Sequence, residues 1–249
     1  MLAERRTLSV SGYAKKFDMA VLAQDTAEDA IRTGCEQARD YRVAAYYTTP
    51  TWTPLVAEVL RGSDVHVGVA LAFPYGTLTT RIKEAEIHEA LEVGGTALDM
   101  VINIGALKGG DHALVEREIA MLADLARQGG ALSKAIIEVG FLTDDEIRTA
   151  TRMCVDHGVD YVKTATGTEA LPDVPHLEAM LSALGGRTRL KLSGVPRQFT
   201  LAATLWMLDM GVELIGTRSA PALVEQYRAH VEGSVPAEPT PARVLVGER

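Results

Sequence analysis

The chain has 249 residues, 47% hydrophobic and 23% charged, a composition that excludes collagen-like, coiled-coil and wholly disordered architectures. Its formal charge of -8 argues against a general nucleic-acid binder and against attachment to an anionic membrane surface. Two cysteines, Cys35 and Cys154, are too few for a disulfide framework and point to a reducing, cytoplasmic setting; residues 1–7 carry no secretory signal, and no apolar run reaches the roughly 18 residues of a membrane span.

Short apolar runs rich in Val, Ile and Tyr alternate with longer segments of helical period. The first unit pairs a strand over 17–22 with a helix over 26–39, whose Thr26-Ala-Glu-Asp29 resembles an N-terminal cap with acids in the first turn. Further strands are predicted over 43–48, 65–72, 97–102, 134–139, 161–164, 189–193 and 212–216. The helices that follow them span 50–60, 79–92, 112–127, 144–157, 175–184, 199–210 and 220–230. Thr143-Asp-Asp-Glu146 is a capping box ahead of Ile147. Apolar strands separated by helices make a parallel sheet covered on its helical side. Eight such units close most simply into a (β/α)8 TIM barrel, an α/β single domain over 1–231. The competing architecture, an open doubly wound sheet, lacks a G-x-G-x-x-G after its first strand. Residues 232–249, with Pro236, Pro239 and Pro241, read as an extended C-terminal tail.

In a barrel, chemistry sits at the C-terminal ends of the strands. Polar residues that interrupt the apolar runs there are Asp99, Glu138, Lys163 and Lys191. An unpaired buried charge costs several kcal/mol or shifts its pKa. An acid and two lysines inside strands therefore need each other or a task. Two nearby ammonium groups in a partly dry pocket lower a lysine pKa, and a neutral lysine forms a Schiff base with a carbonyl compound. A neighbouring carboxylate then moves protons. A salt bridge at the barrel mouth is the other reading of the same residues.

Five segments carry a resemblance to the deoxyribose-phosphate aldolases. They are Leu71-Ala-Phe-Pro-Tyr-Gly76 with Thr80, Lys83 and Glu86; Asp99-Met-Val-Ile-Asn-Ile-Gly-Ala-Leu-Lys108; Ile136-Ile-Glu-Val-Gly-Phe-Leu-Thr143; Lys163-Thr-Ala-Thr-Gly167; and Lys191-Leu-Ser-Gly194. They stand in the family's order, and the resemblance runs from about Asp18 to about Tyr227. It implies a class I aldolase on a (β/α)8 barrel. It also implies that Lys163 is the Schiff-base lysine, that Lys191 holds down its pKa, and that Asp99 is the acid/base group. No separate cofactor and no metal are expected, and the partner is a small carbonyl substrate. The resemblance makes Asp18, Thr166, Gly167, Ser193, Gly194, Gly216, Thr217 and Ser219 candidate substrate-binding residues, together with Tyr47, which stands where the family has a less aromatic strand end, and Arg218. Alternation along the strand puts Tyr46 and Tyr47 on opposite faces, so at most one of them faces the pocket.

The loops that cradle the substrate phosphate in that family depart from its pattern. Ala165, Thr168, Val195 and Pro196 replace its usual residues, and Arg218 stands where a small residue is usual. Proline donates no N–H and restricts the backbone. Arg218 has three readings: a bidentate clamp on phosphate or carboxylate, a solvent-facing side chain, or a partner for Glu225. The chain's end has no tyrosine to serve the proton transfer that some relatives assign to one.

Other chemistries find little support. His66, His88, His112, His157, His176 and His230 form no close ligand pair. There is no G-x-S-x-G and no P-loop. Cys35 and Cys154 fall on predicted helices and read as packing residues. The expected activity is reversible aldol cleavage of a small hydroxy-aldehyde or its phosphate. The alternatives are a related lyase or acyl transferase with another substrate, and a non-catalytic sugar-phosphate binder. The sequence leaves self-association open.

Overall fold

The computed structural model describes residues 8–195 and 197–233. Eight strands run parallel in chain order and close on themselves: β1 (Phe17–Ala20), β2 (Ala45–Thr48), β3 (His66–Leu71), β4 (Ala97–Val101), β5 (Leu132–Ile136), β6 (Tyr161–Lys163), β7 (Arg189–Leu192) and β8 (Val212–Gly216). β8 returns to β1 with Phe17 opposite Ile215 and Asp18 opposite Gly216. Closure removes every sheet edge. The main covering helices are α2 (Glu28–Asp40), α3 (Thr53–Val59), α4 (Thr80–Glu92), α6 (His112–Gln128), α7 (Asp144–Asp156), α8 (Val174–Ala183), α9 (Leu201–Met210) and α10 (Ala220–Glu232). The expected (β/α)8 barrel is thus observed.

The main core lies between the strands and the helices. Tyr46, Val69, Leu98, Met100, Ile137, Val162 and Ile215 pack outward from the strands onto apolar helix faces such as that of Ile119, Leu122 and Ala126 on α6. Tyr46 takes this outer face, and its hydroxyl donates to the Ile31 carbonyl at 3.2 Å. Tyr47 takes the inner one. Two short helices were not anticipated. Helix α1 (Val10–Ala14) precedes β1, and its Tyr13 stacks on Tyr227 with centroids 4.1 Å apart and pairs with Thr204 at 2.6 Å. Helix α5 (Ile104–Lys108) follows β4 and is capped by Asn103. Neither is long enough to show a helical period in sequence.

The Thr143 capping box is present, with the Thr143 hydroxyl accepting from Glu146 N–H and the Glu146 carboxylate accepting from Thr143 N–H at 2.8 Å. The expected cap at Thr26 is not: α2 begins after Ala27, which offers no side-chain acceptor. The predicted helix over 50–60 divides into a 3-10 turn at Pro50–Trp52 and then α3, because Pro54 supplies no N–H and fits only a first helical turn. The predicted strand over 134–139 starts two residues earlier and ends at Ile136. Ile137 and Val139 extend the apolar run because they are buried, while Glu138 between them adopts the left-handed region at φ 50° and leaves the ladder. Helix α10 ends at Glu232, and nearly all of the sequence-predicted tail lies outside the described residues. Among the described residues no helix is long and apolar enough to cross a membrane.

Candidate active site

Inside the barrel the apolar rule is reversed. Asp18 from β1, Tyr47 from β2, Asp99 from β4, Lys134 from β5, Lys163 from β6 and Lys191 from β7 all project into it, each 5% exposed or less. They form one network. Oδ2 of Asp99 accepts from Lys163 Nζ at 2.8 Å and from Lys191 Nζ at 2.7 Å. Oδ2 of Asp18 lies 2.7 Å from Lys134 Nζ and 2.7 Å from Lys191 Nζ. Lys191 therefore bridges both acids, whereas Lys163 and Lys134 hold one each.

Tyr47 lies among these charges. Its ring centroid is 4.2 Å from Lys191 Nζ, 5.0 Å from Lys134 Nζ and 5.9 Å from Lys163 Nζ. The ring fits because Gly68, its register partner on β3, has no side chain; a Cβ there would stand 2.5 Å from the ring.

Charge balance shows what this arrangement does. Three ammonium groups face two carboxylates, so one lysine is in excess and a neutral amine restores balance. Burial lowers the Lys163 pKa most, the ammonium groups of Lys191 and Lys134 lower it further, and Asp99 opposes them; the result is about 8. Lys191 moves the other way. Burial would lower it, but Asp18 and Asp99 together hold it above the ordinary value. Burial would raise Asp99, but Lys163 and Lys191 outweigh it and keep that carboxyl ionised, well below the usual range. Lys134 is lowered, chiefly by burial, with Asp18 opposing. At neutral pH the network thus holds two ionised carboxylates and, at Lys163, an amine that readily loses its proton.

The three residues expected to act together, Asp99, Lys163 and Lys191, are in contact. Asp18 joins them through Lys191. Lys134 was missed by sequence reasoning. It stands at the start of a predicted strand, where a lysine ordinarily extends to solvent at the barrel end. The signal that finds it is parity: 134 and 136 share a face, and Ile136 pairs in register with Lys163.

The loops above β6, β7 and β8 sit against one another. Thr164 donates its hydroxyl to the Ser193 carbonyl at 2.7 Å and accepts from the Ser193 N–H at 2.9 Å. Gly167 and Gly194 adopt φ +88° and +84°, and a Cβ on Gly167 would stand 2.8 Å from Gly194 Cα. Several amides of the expected substrate-binding residues are already engaged. Thr166 N–H donates to Glu138, Thr217 N–H to the Asp18 carbonyl, and Ser219 N–H to the Thr217 hydroxyl. The amides of Gly167 and Gly194 make no hydrogen bond among the described residues. Gly216 lies beneath them against Ser193. Arg218 is exposed on the turn between β8 and α10 and pairs with no acid among the described residues; Glu225 lies 3.7 Å from Arg228 instead. Of its three sequence readings, the Glu225 pair is thereby removed.

Elsewhere, a cleft of about 750 Å³ opens at the opposite end of the barrel, beside Val65, His66, Gly94 and Thr96 ahead of β3 and β4. It does not reach the lysine network. Cys35 and Cys154 are buried in helices as packing residues. No three His, Cys, Asp or Glu side chains converge as metal ligands among the described residues.

Comparison with known proteins agrees with this geometry. A family model described as DeoC/LacD family aldolase matches residues 13–194. A deoxyribose-phosphate aldolase of Geobacillus sp. (strain WCH70) is 39% identical over 221 residues, 88% of this chain and 98% of the relative. The deoxyribose-phosphate aldolase of Halalkalibacterium halodurans is 37% identical over 89% of this chain and 97% of its own length. Among solved structures, the deoxyribose phosphate aldolase of Aeropyrum pernix, described as a unique tetramer, superposes with a TM-score of 0.79 at 25% identity, over 89% of this chain and 93% of that one. The chain belongs to the DeoC/LacD family of aldolases, which are carbon–carbon lyases.

Proposed function

We propose that the protein cleaves and forms a carbon–carbon bond through an imine on Lys163, with 2-deoxyribose 5-phosphate, acetaldehyde and glyceraldehyde 3-phosphate as the parent substrate and products. The observation that carries this reading is the lysine excess inside the barrel: three ammonium groups, two carboxylates, and Lys163, the least buried of the three lysines, with its pKa at about 8. A neutral Lys163 attacks the carbonyl carbon, and the carbinolamine then loses water to give the iminium ion. Asp99, 2.8 Å from Lys163 Nζ, is placed to take and return the protons of the carbinolamine and enamine steps. Lys191 keeps its charge and stabilises the neutral form of Lys163. No separate cofactor enters this scheme.

The substrate's anionic end would lie over the loops that follow β6 to β8. The amides of Gly167 and Gly194 and the guanidinium of Arg218 support this placement, since all three lack partners among the described residues. Thr166, Ser193, Gly216, Thr217 and Ser219 lie around that end of the barrel, while the Asp18 carboxylate holds Lys134 and Lys191 inside it.

Borohydride trapping tests the reading. The protein is incubated with acetaldehyde and with 2-deoxyribose 5-phosphate, reduced, and mapped by peptide mass. An adduct on Lys163 that disappears in Lys163→Ala is the expected result. Adducts confined to scattered surface lysines would sink the imine mechanism. Arg218→Ala is expected to raise KM for the phosphorylated substrate and to leave its unphosphorylated analogue unaffected.

A further inference from the structure

Among the described residues, Tyr47 is the one aromatic ring whose centroid lies within 6 Å of all three lysines inside the barrel, and the imine chemistry gives it no role. Its hydroxyl lies near Asp99 but makes no aligned hydrogen bond among the described residues. What it offers its neighbours is the ring face. An aromatic face attracts a cation within about 6 Å of its centroid, more strongly where water is excluded. Here the three distances differ. Lys191 at 4.2 Å and Lys134 at 5.0 Å are well inside that range, and Lys163 at 5.9 Å is at its limit.

The other charged and titratable groups facing these lysines leave the contest among them open. Asp18 from β1 holds Lys134 and Lys191, and Asp99 from β4 holds Lys163 and Lys191. Tyr161 from β6 faces Lys134 at 5.0 Å, while Arg189 from β7 covers the Tyr161 ring at 4.5 Å. His66 from β3 is near Lys134, and Glu138 beyond β5 is near Lys163. Lys191 keeps its proton because two carboxylates hold it. Lys134 and Lys163 each have a single carboxylate, so ion pairing alone does not decide which of them is neutral.

We infer that Tyr47 is a positioning residue that selects the reactive lysine: its π face stabilises the ammonium forms of Lys191 and Lys134 and leaves Lys163 as the amine that gives up its proton. The inference rests on Lys163 being the imine lysine. It explains why Gly68 leaves room for a full aromatic ring among charges, where a small side chain would fill less of the barrel.

The test changes the electrons of the ring and keeps its shape. Tyr47→Phe removes only the hydroxyl. Fluorinated phenylalanines at the same position, up to Tyr47→pentafluorophenylalanine, progressively drain the π face. The readout is the pH midpoint of cyanoborohydride trapping of acetaldehyde on Lys163, mapped by peptide mass. Tyr47→Phe is expected to keep the wild-type midpoint. Successive fluorines are expected to move it to higher pH, until trapping at pH 7 falls roughly three- to tenfold and returns on raising the pH. A midpoint indifferent to fluorination overturns the inference. So does a shift already complete in Tyr47→Phe, which would assign the effect to the hydroxyl. Absence of any Lys163 adduct in the wild-type protein would instead overturn the imine reading itself.

Discussion

Replacing Lys191 by methionine separates an electrostatic role from a chemical one. Lys163 and Lys191 both lie within 2.8 Å of the same Asp99 oxygen, so their nitrogens are at most about 5.5 Å apart. At an effective dielectric of about 20, two unit charges at that distance repel by about 3 kcal/mol, or roughly two pH units of pKa. With Lys163 at about 8, roughly a tenth of it is neutral at pH 7, some 300-fold more than at an ordinary lysine value. Lys191→Met removes the repulsion and leaves Asp99 to Lys163 alone. Both changes raise the Lys163 pKa. The neutral amine is the reactive form, so trapping rises with pH and levels off above the pKa. The variant's curve is expected to be displaced upward by about two pH units, with about 100-fold less trapping at pH 7 and recovery near pH 10. The assay is adduct formation on Lys163 with acetaldehyde across pH 6 to about 11, alongside thermal unfolding to establish that the variant is folded. A folded variant whose midpoint stays near 8, or whose trapping fails to recover at any pH, would refute the electrostatic account.

Three further outcomes follow from packing and capping. Gly68→Ala places a Cβ 2.5 to 2.7 Å from Tyr47 ring atoms; the displaced ring should cost about 1–3 kcal/mol in denaturant unfolding and lower turnover as well. The fully buried Lys83–Glu118 pair joins α4 to α6 at 2.6 Å, and Lys83 also donates to the Val101 carbonyl at the end of β4. Glu118→Ala should cost about 3–5 kcal/mol, whereas Lys83→Met combined with Glu118→Leu should recover most of it, which a double-mutant cycle measures directly. Thr143→Ala removes one half of the capping box and should lower unfolding stability by about 1 kcal/mol without changing trapping at Lys163.

Much of the site was legible one residue at a time. A charge in a run of apolar strand residues is conspicuous, which is why Asp99, Lys163 and Lys191 stood out, and parity alone separated Tyr46 from Tyr47. Lys134 did not stand out, because a lysine at a strand end ordinarily reaches solvent. Its burial follows from barrel closure, which turns the strand's inner face onto Asp18, 116 positions away in sequence. The same holds for Glu138: its run of neighbours reads as strand, and only the observed backbone shows it turning out of the ladder to hold Thr166 N–H.

By itself the sequence determined the alternation of strand and helix, the parallel order and the eightfold count, because hydrophobic period and capping are local properties of the chain. It also singled out Asp99, Glu138, Lys163 and Lys191 as out of place, though not Lys134. Tertiary structure alone decided the pairings: that Lys191 bridges Asp18 and Asp99, that Lys134 completes a three-to-two imbalance of charge, and that Arg218 remains free of Glu225. The reason is that charge interactions inside a barrel depend on distance across a closed, dry interior. That distance is set by register and strand tilt, which no stretch of sequence encodes locally.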